Sequence, residues 1–377
     1  MKERGAGEVK ARHDGSPVVL ILCNNDGGLY KFRRGLLERL VGRYRVVISC
    51  PEGDFAQDIR ALGAELINTP MERRGTNPLR DLKLLRAYMR LMKQYRPLAV
   101  LTYTVKPNIY GGIAARLYRR PRIANITGLG TAVENGGLMQ KLLMAMYRPA
   151  LRGAHCVCFQ NEANRDFFNS NMKIGRQVLL CGSGVDLKEH TAEPYPEDAH
   201  GVRLLFIGRM MRAKGVDELL AAAQRLKNEG ENISFTLVGG CDEAEYEAKL
   251  SKLTREGVID WVGEKRSVKP YIAECHAVVN PSHHEGMSNV LLEAAATARP
   301  VIASDIPGCR ETFAEGKSGF GFAAGDAEAL YLAVKRFAAL PNERRAEMGA
   351  FAREFVEKNF DRETVIRTYT DLIEELL

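Results

Sequence analysis

The sequence predicts an α/β protein of two doubly wound, Rossmann-like domains in tandem, facing each other across a cleft. Three observations predict it. Short, continuous runs of Val, Ile and Leu recur along the chain with helical stretches between them. Such runs mark strands covered on both faces, as in parallel sheets, and their alternation with helices marks βαβ units. The 377 residues exceed what one hydrophobic core usually serves, so two domains are expected. The series of runs also begins again after a polar interruption near residue 190.

In chain order, the polar stretch MKERGAGEVKARHDGS (1–16) reads as a flexible leader, without the apolar core of a secretory signal. The first domain, 17–186, carries strands PVVLILC (17–23), RVVISC (45–50), AVLTY (99–103), RIANI (122–126), HCVCF (155–159) and QVLLC (177–181). The stretch GVDLKEHTAEPYPEDAHG (184–201) is rich in Pro, Asp and Glu, which places an interdomain linker at 187–201. The second domain, 202–360, carries RLLFIG (203–208), SFTLVGG (234–240), VIDWVG (258–263), AVVNPS (277–282), PVIAS (300–304) and FGFAA (320–324). Residues 361–377 are expected to form a C-terminal helix packing back on the first domain.

Composition narrows the function. No apolar run reaches the ~18–20 residues of a membrane span. The eight cysteines are scattered without CxxC spacing, which reads as buried thiols in a reducing cytoplasm. Residues 1–199 hold 31 Lys+Arg and 19 Asp+Glu, a balance of +12; the remainder, 23 and 28, balances at −5, and the two sum to the +7 of the whole chain. A basic half joined to an acidic half suggests that one domain alone meets something anionic: nucleic acid, a membrane surface or a diphosphate.

Two motifs at strand carboxyl ends carry the chemistry. In PSHHEGMSNVLLEAAA (281–296) a helix is expected to start near Ser288, leaving the N–H groups of about Asn289 and Val290 as an anion site. Glu285 precedes that start and Glu293 lies one turn inside it. A carboxylate so placed can accept both hydroxyls of a ribose; a helical Glu exposed to water is the other reading of Glu293. In IGRMMRAKG (207–215), Gly208, Arg209 and Lys214 occupy another strand-to-helix loop. Cations are not what a helix start prefers, unless they receive an anion such as a diphosphate.

G-R-(x)4-K-G followed by E-(x)7-E resembles the retaining nucleotide-sugar glycosyltransferases of family 4, which have the GT-B fold. SHHEGMSNVLLEAAATARPVIASDIPG (282–308) looks like that family's signature block almost throughout. It departs at Arg299, where the family often has Gly before Pro, and at Pro307-Gly308-Cys309, where a Gly-Gly pair is common. The resemblance implies that Arg209, Lys214 and Glu285 are the catalytic residues. Arg209 and Lys214 would hold the donor diphosphate, Glu293 the ribose and Glu285 the sugar, with Gly208, Gly286, Ser288, Asn289 and Val290 completing the donor site. It implies a UDP-sugar as substrate, no cofactor and no bound metal; the adjacent His283 and His284 read as loop or sugar-edge residues.

The first domain is less sharply marked. Gly27 and Gly28 at the start of a helix permit close backbone approach, which suits a phosphate or sugar of the donor. TYTVKPNIYGG (102–112) and NITGLGTAVENGG (125–137) look like loops of a bacterial branch that builds lipid-linked oligosaccharides, including N-acetylgalactosaminyltransferases. That resemblance puts Lys106, Asn108, Thr127 and Gly128 on the acceptor side. The first-domain His usual in the family is missing, since 14–154 contains none. LMQKLLMAMYRPALRG (138–153), with Lys141, Arg148 and Arg152, reads either as a buried helix with a basic rim or as a peripheral contact with anionic lipid on the inner face of the cytoplasmic membrane. Rival readings are transfer to another polysaccharide or a soluble acceptor, a nucleotide-sugar epimerase, and a basic nucleic-acid-binding protein. The last would need dense basic runs or a recognition motif, and the basic residues are dispersed, so no nucleic-acid partner is expected.

Overall fold

The computed structural model describes residues 15–72, 77–128 and 137–377. The described residues form two compact units, those from 15 to 183 together with 364–377, and 184–363.

The first unit runs β1 (Val18–Leu22), α1 (Asp26–Val41), β2 (Arg45–Cys50), α2 (Ala56–Ala61), β3 (Glu65–Asn68), α3 (Pro78–Tyr95) and β4 (Ala99–Tyr103). A π turn (Pro107–Gly111) leads into α4 (Gly112–Leu117), then β5 (Arg122–Ile126), α5 (Gly137–Leu151), β6 (Cys156–Phe159), α6 (Glu162–Asn171) and β7 (Gln177–Leu179). The sheet is parallel, in the order β3-β2-β1-β4-β5-β6-β7. Alternation along β1 fills both faces. Val19 and Ile21 pack with Leu36, Leu37 and Leu40 of α1, whereas Leu20 and Leu22 pack with Leu84, Tyr88 and Met92 of α3. Strand β3 escapes the sequence reading because ELIN is a short edge strand whose residues are only half-buried, or exposed at Asn68, so no continuous apolar run announces it.

The second unit runs β8 (Val202–Ile207), α7 (Val216–Asn228), β9 (Ile233–Val238), α8 (Glu245–Arg255), β10 (Asp260–Gly263), α9 (Lys269–Glu274) and β11 (Ala277–Asn280). It continues with α10 (Asn289–Ala296), β12 (Val301–Ser304), β13 (Gly319–Phe322), α11 (Ala327–Ala338) and α12 (Asn342–Asn359). Its parallel sheet has the order β10-β9-β8-β11-β12-β13. The last helix, α13 (Arg362–Glu374), lies mainly in the first unit, where Val365, Ile366, Tyr369, Leu372 and Ile373 join the core beside α1.

The stretch 187–201, expected as a linker, belongs to the second unit, and the boundary falls at Ser183/Gly184. Buried polar groups seat it there. The Arg299 guanidinium, fully buried, donates to the carbonyls of Glu193 (3.0 Å) and Pro194 (2.8 Å). Tyr195 donates to the carbonyl of His276 (2.8 Å), and Arg345 pairs with Asp198. Composition shows polarity, and these partners are too distant in sequence to be read from it.

His190 and His276 are both buried in this unit. Burial is the main cause that lowers each ring from 6.5 to about 4; Asp198, 3.1 Å from His276, offsets part of it. Between those values the unfolded chain binds a proton at each position and the folded chain does not. Stability is therefore full above about pH 6.5 and falls as pH drops towards about 4, by up to roughly 3 kcal/mol per ring. Urea midpoints measured from about pH 7.5 down to about pH 5 should decline. His276→Asn, which keeps an acceptor for the Arg203 N–H that His276 Nδ1 now takes (3.0 Å), should flatten the slope.

Candidate active site

In the second unit the strand order reverses between β8 and β11, the point where open parallel sheets bind ligands beyond their carboxyl ends. Both motifs leave from there. Gly215, at φ +69°, lies so close to the other loop that a β-carbon would come 2.0 Å from the Pro281 oxygen. The His283 N–H donates to the Ala213 carbonyl (3.0 Å), fastening the two loops together. Gly208 donates to Val238 (3.0 Å), and its own carbonyl sits where a β-carbon on Gly239 would be 1.8 Å away.

These contacts put Lys214 Nζ 2.6 Å from Glu285 Oε1, the same oxygen that Ser282 Oγ donates to at 2.9 Å. Arg209, half-exposed, pairs with Asp242 in the loop after β9. His283 Nε2 stands 3.0 Å from Glu218 Oε1 at the start of α7. Asn280 Nδ2 donates to Ser288 Oγ (2.7 Å), and its Oδ1 accepts from Ser282 N–H (3.2 Å). Sequence reasoning missed Glu218, Asp242, Asn280 and Ser282. The only signal was their place at strand ends or helix starts, which many unrelated residues share.

Helix α10 opens at Asn289, as expected, with Ser288 as its cap. The N–H groups of Asn289 and Val290 have no partner among the described residues and form the positive end of the helix. Ser288 does not add a third: its N–H donates to the Gly308 carbonyl (2.8 Å). Gly308, at φ +85°, packs against the carbonyls of Glu285 and Gly286. Glu293 lies on the second turn, half-buried. The site can thus receive an anion at the helix start, with two cations whose present partners are carboxylates.

In the first unit the order reverses between β1 and β4. Gly27 and Gly28 stand in the first turn of α1, but their N–H groups are taken. Gly27 donates to Asp26 Oδ1 (2.7 Å) and Gly28 to Asn25 Oδ1. Asp26 is buried and also accepts from the N–H groups of Gly53 (2.7 Å) and Phe55 (3.0 Å). The expected phosphate cradle at these glycines therefore lacks its donors; side chains next to them cap the helix instead.

Beyond β4, Thr104 holds φ +72°, unusual for a β-branched residue, and its buried Oγ1 has no partner. The π turn follows, a feature frequent at functional sites. Lys106 pairs with Asp81 of α3 (2.7 Å), which also accepts from Tyr110 (2.9 Å). Asn108 does not line a surface. It is buried, accepts from Thr102 Oγ1 (2.6 Å) and donates to the Asn125 carbonyl (2.8 Å), tying β4 to β5. Thr127 and Gly128 leave β5 half-buried; the rest of that loop, 129–136, lies outside the described residues. Lys141, Arg148 and Arg152 are exposed along one side of α5 and the turn after it, with Leu138 (84% exposed) and Leu142 (53%) on the same side.

Comparison with known proteins assigns both units. Residues 27–180 match the "Glycosyl transferase 4-like domain" model and residues 201–339 match "Glycosyl transferases group 1". The chain is 27% identical, over 79% of its length and 83% of the relative's, to the N,N'-diacetylbacillosaminyl-diphospho-undecaprenol alpha-1,3-N-acetylgalactosaminyltransferase of Campylobacter jejuni. It is 24% identical, over 76% and 78%, to the capsular polysaccharide biosynthesis glycosyltransferase CapM of Staphylococcus aureus. Anabaena HepE, solved with UDP and glucose, superposes with a TM-score of 0.77 at 19% identity, covering 94% of this chain and 99% of that one. Sucrose-phosphate synthase from Thermosynechococcus elongatus superposes at 0.78 and 20%, covering 96% and 99%. The chain belongs to the group 1, family 4 glycosyltransferases and has their GT-B fold of two Rossmann-like domains.

Proposed function

We propose that this enzyme moves a hexose or N-acetylhexosamine, with retention, from a UDP-sugar to a polyprenyl-diphosphate-linked sugar in bacterial glycan assembly. The observation that carries the donor half is the convergence of Arg209, Lys214 and the free N–H groups of α10 at the β8/β11 reversal. Departure of UDP leaves negative charge on the diphosphate and positive charge on the anomeric carbon. The two cations and the helix start stabilise that leaving group as its charge grows. Its arrival exchanges the partners of Arg209 and Lys214, releasing Asp242 and Glu285. Glu285, freed of Lys214, turns to the sugar hydroxyls, and Glu293 accepts from the ribose. Retention follows from attack on the same face the diphosphate leaves, with a phosphate oxygen taking the acceptor proton. The UDP-sugar is a substrate, and the reaction calls for no cofactor or bound metal.

The acceptor half rests on the C. jejuni relative, whose name specifies a diphospho-undecaprenol-linked acceptor, and on the carboxyl edge of the first unit around Lys106, Asp81, Thr127 and Gly128. Among the described residues no helix is long and apolar enough to cross a membrane. Exposed Leu138 and Leu142 beside Lys141 and Arg148 suit peripheral contact with an anionic leaflet at the inner face of the cytoplasmic membrane.

Lys214→Ala and Arg209→Ala should each slow transfer by about 100-fold, the equivalent of roughly 3 kcal/mol of leaving-group stabilisation, with melting temperatures near wild type. Steady-state kinetics with a panel of UDP-sugars and an undecaprenyl-diphosphate-linked acceptor measures this. Near-normal turnover in either variant removes that residue from the mechanism.

Free UDP separates the two glutamates, because it has a ribose but no sugar. Glu293→Gln should weaken UDP binding, while Glu285→Gln should leave it close to wild type and lower turnover instead. Calorimetric titration decides, and equal UDP affinity in wild type and Glu293→Gln rejects the ribose contact.

The double change Lys141→Glu/Arg148→Glu should reduce co-sedimentation with anionic vesicles, each basic group contributing about 1 kcal/mol, and raised salt should mimic it. Equal binding to neutral vesicles rejects electrostatic docking.

A further inference from the structure

The amino-terminal edge of the first sheet, at the other end of its strands from Lys106 and Thr127, carries a cationic feature that the reaction does not use. The last turn of α4, the residues after it and the first residue of β5 supply Arg116, Arg119, Arg120 and Arg122, and the turn between α5 and β6 supplies Arg152 and His155. They line an open cavity of about 570 Å³, within the range of small-molecule sites. The 15 residues of α5 separate this edge from the carboxyl edge by roughly 22 Å.

Several arginines of this unit pair with carboxylates, Arg43 with Glu374, Arg45 with Glu65, Arg60 with Glu52 and Arg176 with Glu375, whereas Arg33 and Arg148 donate to the carbonyls of Phe32 and Asn171. The cavity concentrates arginines of this second kind. Among the described residues, none of its five arginines makes an ion pair, and three of them donate to neutral carbonyls. Arg116 donates to Pro149 (3.3 Å), Arg120 to Arg96 (3.5 Å), and Arg122 to Ala150 (2.8 Å) and Arg152. The Nε of Arg120 is buried without a partner. Arg122, only 3% exposed, is held down to about 10 by burial and then by the charge of Arg116.

The carbonyl ends of α4 and α5 help these cations gather, but each supplies roughly half an elementary charge against five full ones. The backbone is built to the same end. Arg119 holds φ +52°, a left-handed position that favours glycine. Its N–H donates to Arg116 (3.1 Å), and that of Arg120 donates to Ala115 (2.8 Å), closing α4 so that Arg116, Arg119 and Arg120 leave from one tight turn. Arg122, by holding the Ala150 and Arg152 carbonyls, fixes the end of α5 from which Arg152 projects.

We infer that this cavity is a second anion site, separate from the donor site, that binds the phosphate groups of a ligand through the guanidinium forks of Arg116, Arg119 and Arg152. Planar guanidiniums match phosphate oxygens in pairs, and a multiply charged anion is the one occupant that relieves their mutual repulsion. The phosphate is supplied either by an anionic lipid headgroup or by a soluble phosphorylated compound.

Inorganic pyrophosphate and phosphatidylglycerol vesicles, applied to the full chain, test the site and its source. Arg116→Gln/Arg119→Gly removes two forks; the glycine suits the left-handed backbone, so the variant should melt like wild type. With the diphosphate site of the second unit occupied by saturating UDP, pyrophosphate should still bind wild type, and at least tenfold more weakly the double variant. If pyrophosphate does not bind but the double variant loses vesicle binding, the ligand is a lipid headgroup. If pyrophosphate binding falls and vesicle binding is unchanged, the ligand is soluble. Lys141→Glu/Arg148→Glu should leave pyrophosphate binding intact, which separates this site from membrane contact through α5. The inference is overturned if the double variant alters neither pyrophosphate binding under saturating UDP nor vesicle binding.

Discussion

The candidate site of the second unit depends on one close approach, the backbone at Gly215 against the carbonyl of Pro281. A side chain there would drive the β8–α7 loop away from the β11–α10 loop. The Ala213–His283 backbone bond would open, and Lys214 would no longer reach Glu285. Every ligand-facing group of this edge hangs from one of those two loops or from the start of α10. The chemistry thus rests on backbone packed against backbone, the arrangement that holds a constellation to within a fraction of an ångström.

Such a site must also survive without its ligand. Arg209 and Lys214 on an otherwise acidic domain would attract an anionic donor, yet unpaired cations beside the positive end of α10 would repel one another. Asp242 and Glu285 neutralise them while the donor is absent. Because Arg209 and Asp242 are substantially exposed, that pair is screened and contributes little to stability. It is an exchangeable partner: a diphosphate offers more charge and better fork geometry than one carboxylate. The cavity at the amino-terminal edge of the first sheet is the contrasting case: among the described residues none of its five arginines pairs with a carboxylate, and of the residues lining it Glu375 reaches only His155 (3.1 Å).

The sequence made the architecture legible wherever burial was complete on both faces. Strands β1, β2, β4, β5 and β6 of the first sheet, and β8, β11 and β12 of the second, are almost wholly buried and stand out as unbroken apolar runs. Edge strand β3 has no such run. At the site, charge and spacing singled out Arg209, Lys214, Glu285 and Glu293 as candidates, because cations at a helix start contradict local preference, and the family resemblance supplied their expected roles. Backbone donors were less legible. The glycines at 27 and 28, and the cap at 288, look the same in sequence whether their N–H groups face a ligand or an intramolecular acceptor. Here Asn25, Asp26 and the Gly308 carbonyl take them. Asn108 misleads for a related reason: a polar residue in a loop after a strand reads as ligand-facing, but it turns inward to join β4 to β5.

Arg299 gives the departure from the family pattern a structural meaning. A glycine is common at that position, and the motif alone leaves the large cation unexplained. Its guanidinium reaches five carbonyls: those of Thr297 and Ala298 beside it, that of Ala273, and those of Glu193 and Pro194 in the stretch expected to be a linker. No carboxylate is needed, because carbonyl dipoles arranged around a planar donor fork can satisfy a buried guanidinium. Ala298, in the left-handed conformation at φ +58°, ends α10 so that Arg299 turns inward. The same helix presents Asn289, Val290 and Glu293 at its start and is tied at its finish to residues 193–194. The departure from the pattern therefore lies at the end of α10 remote from Asn289 and Val290, and its effect is to convert a Pro- and Glu-rich segment into part of the second unit.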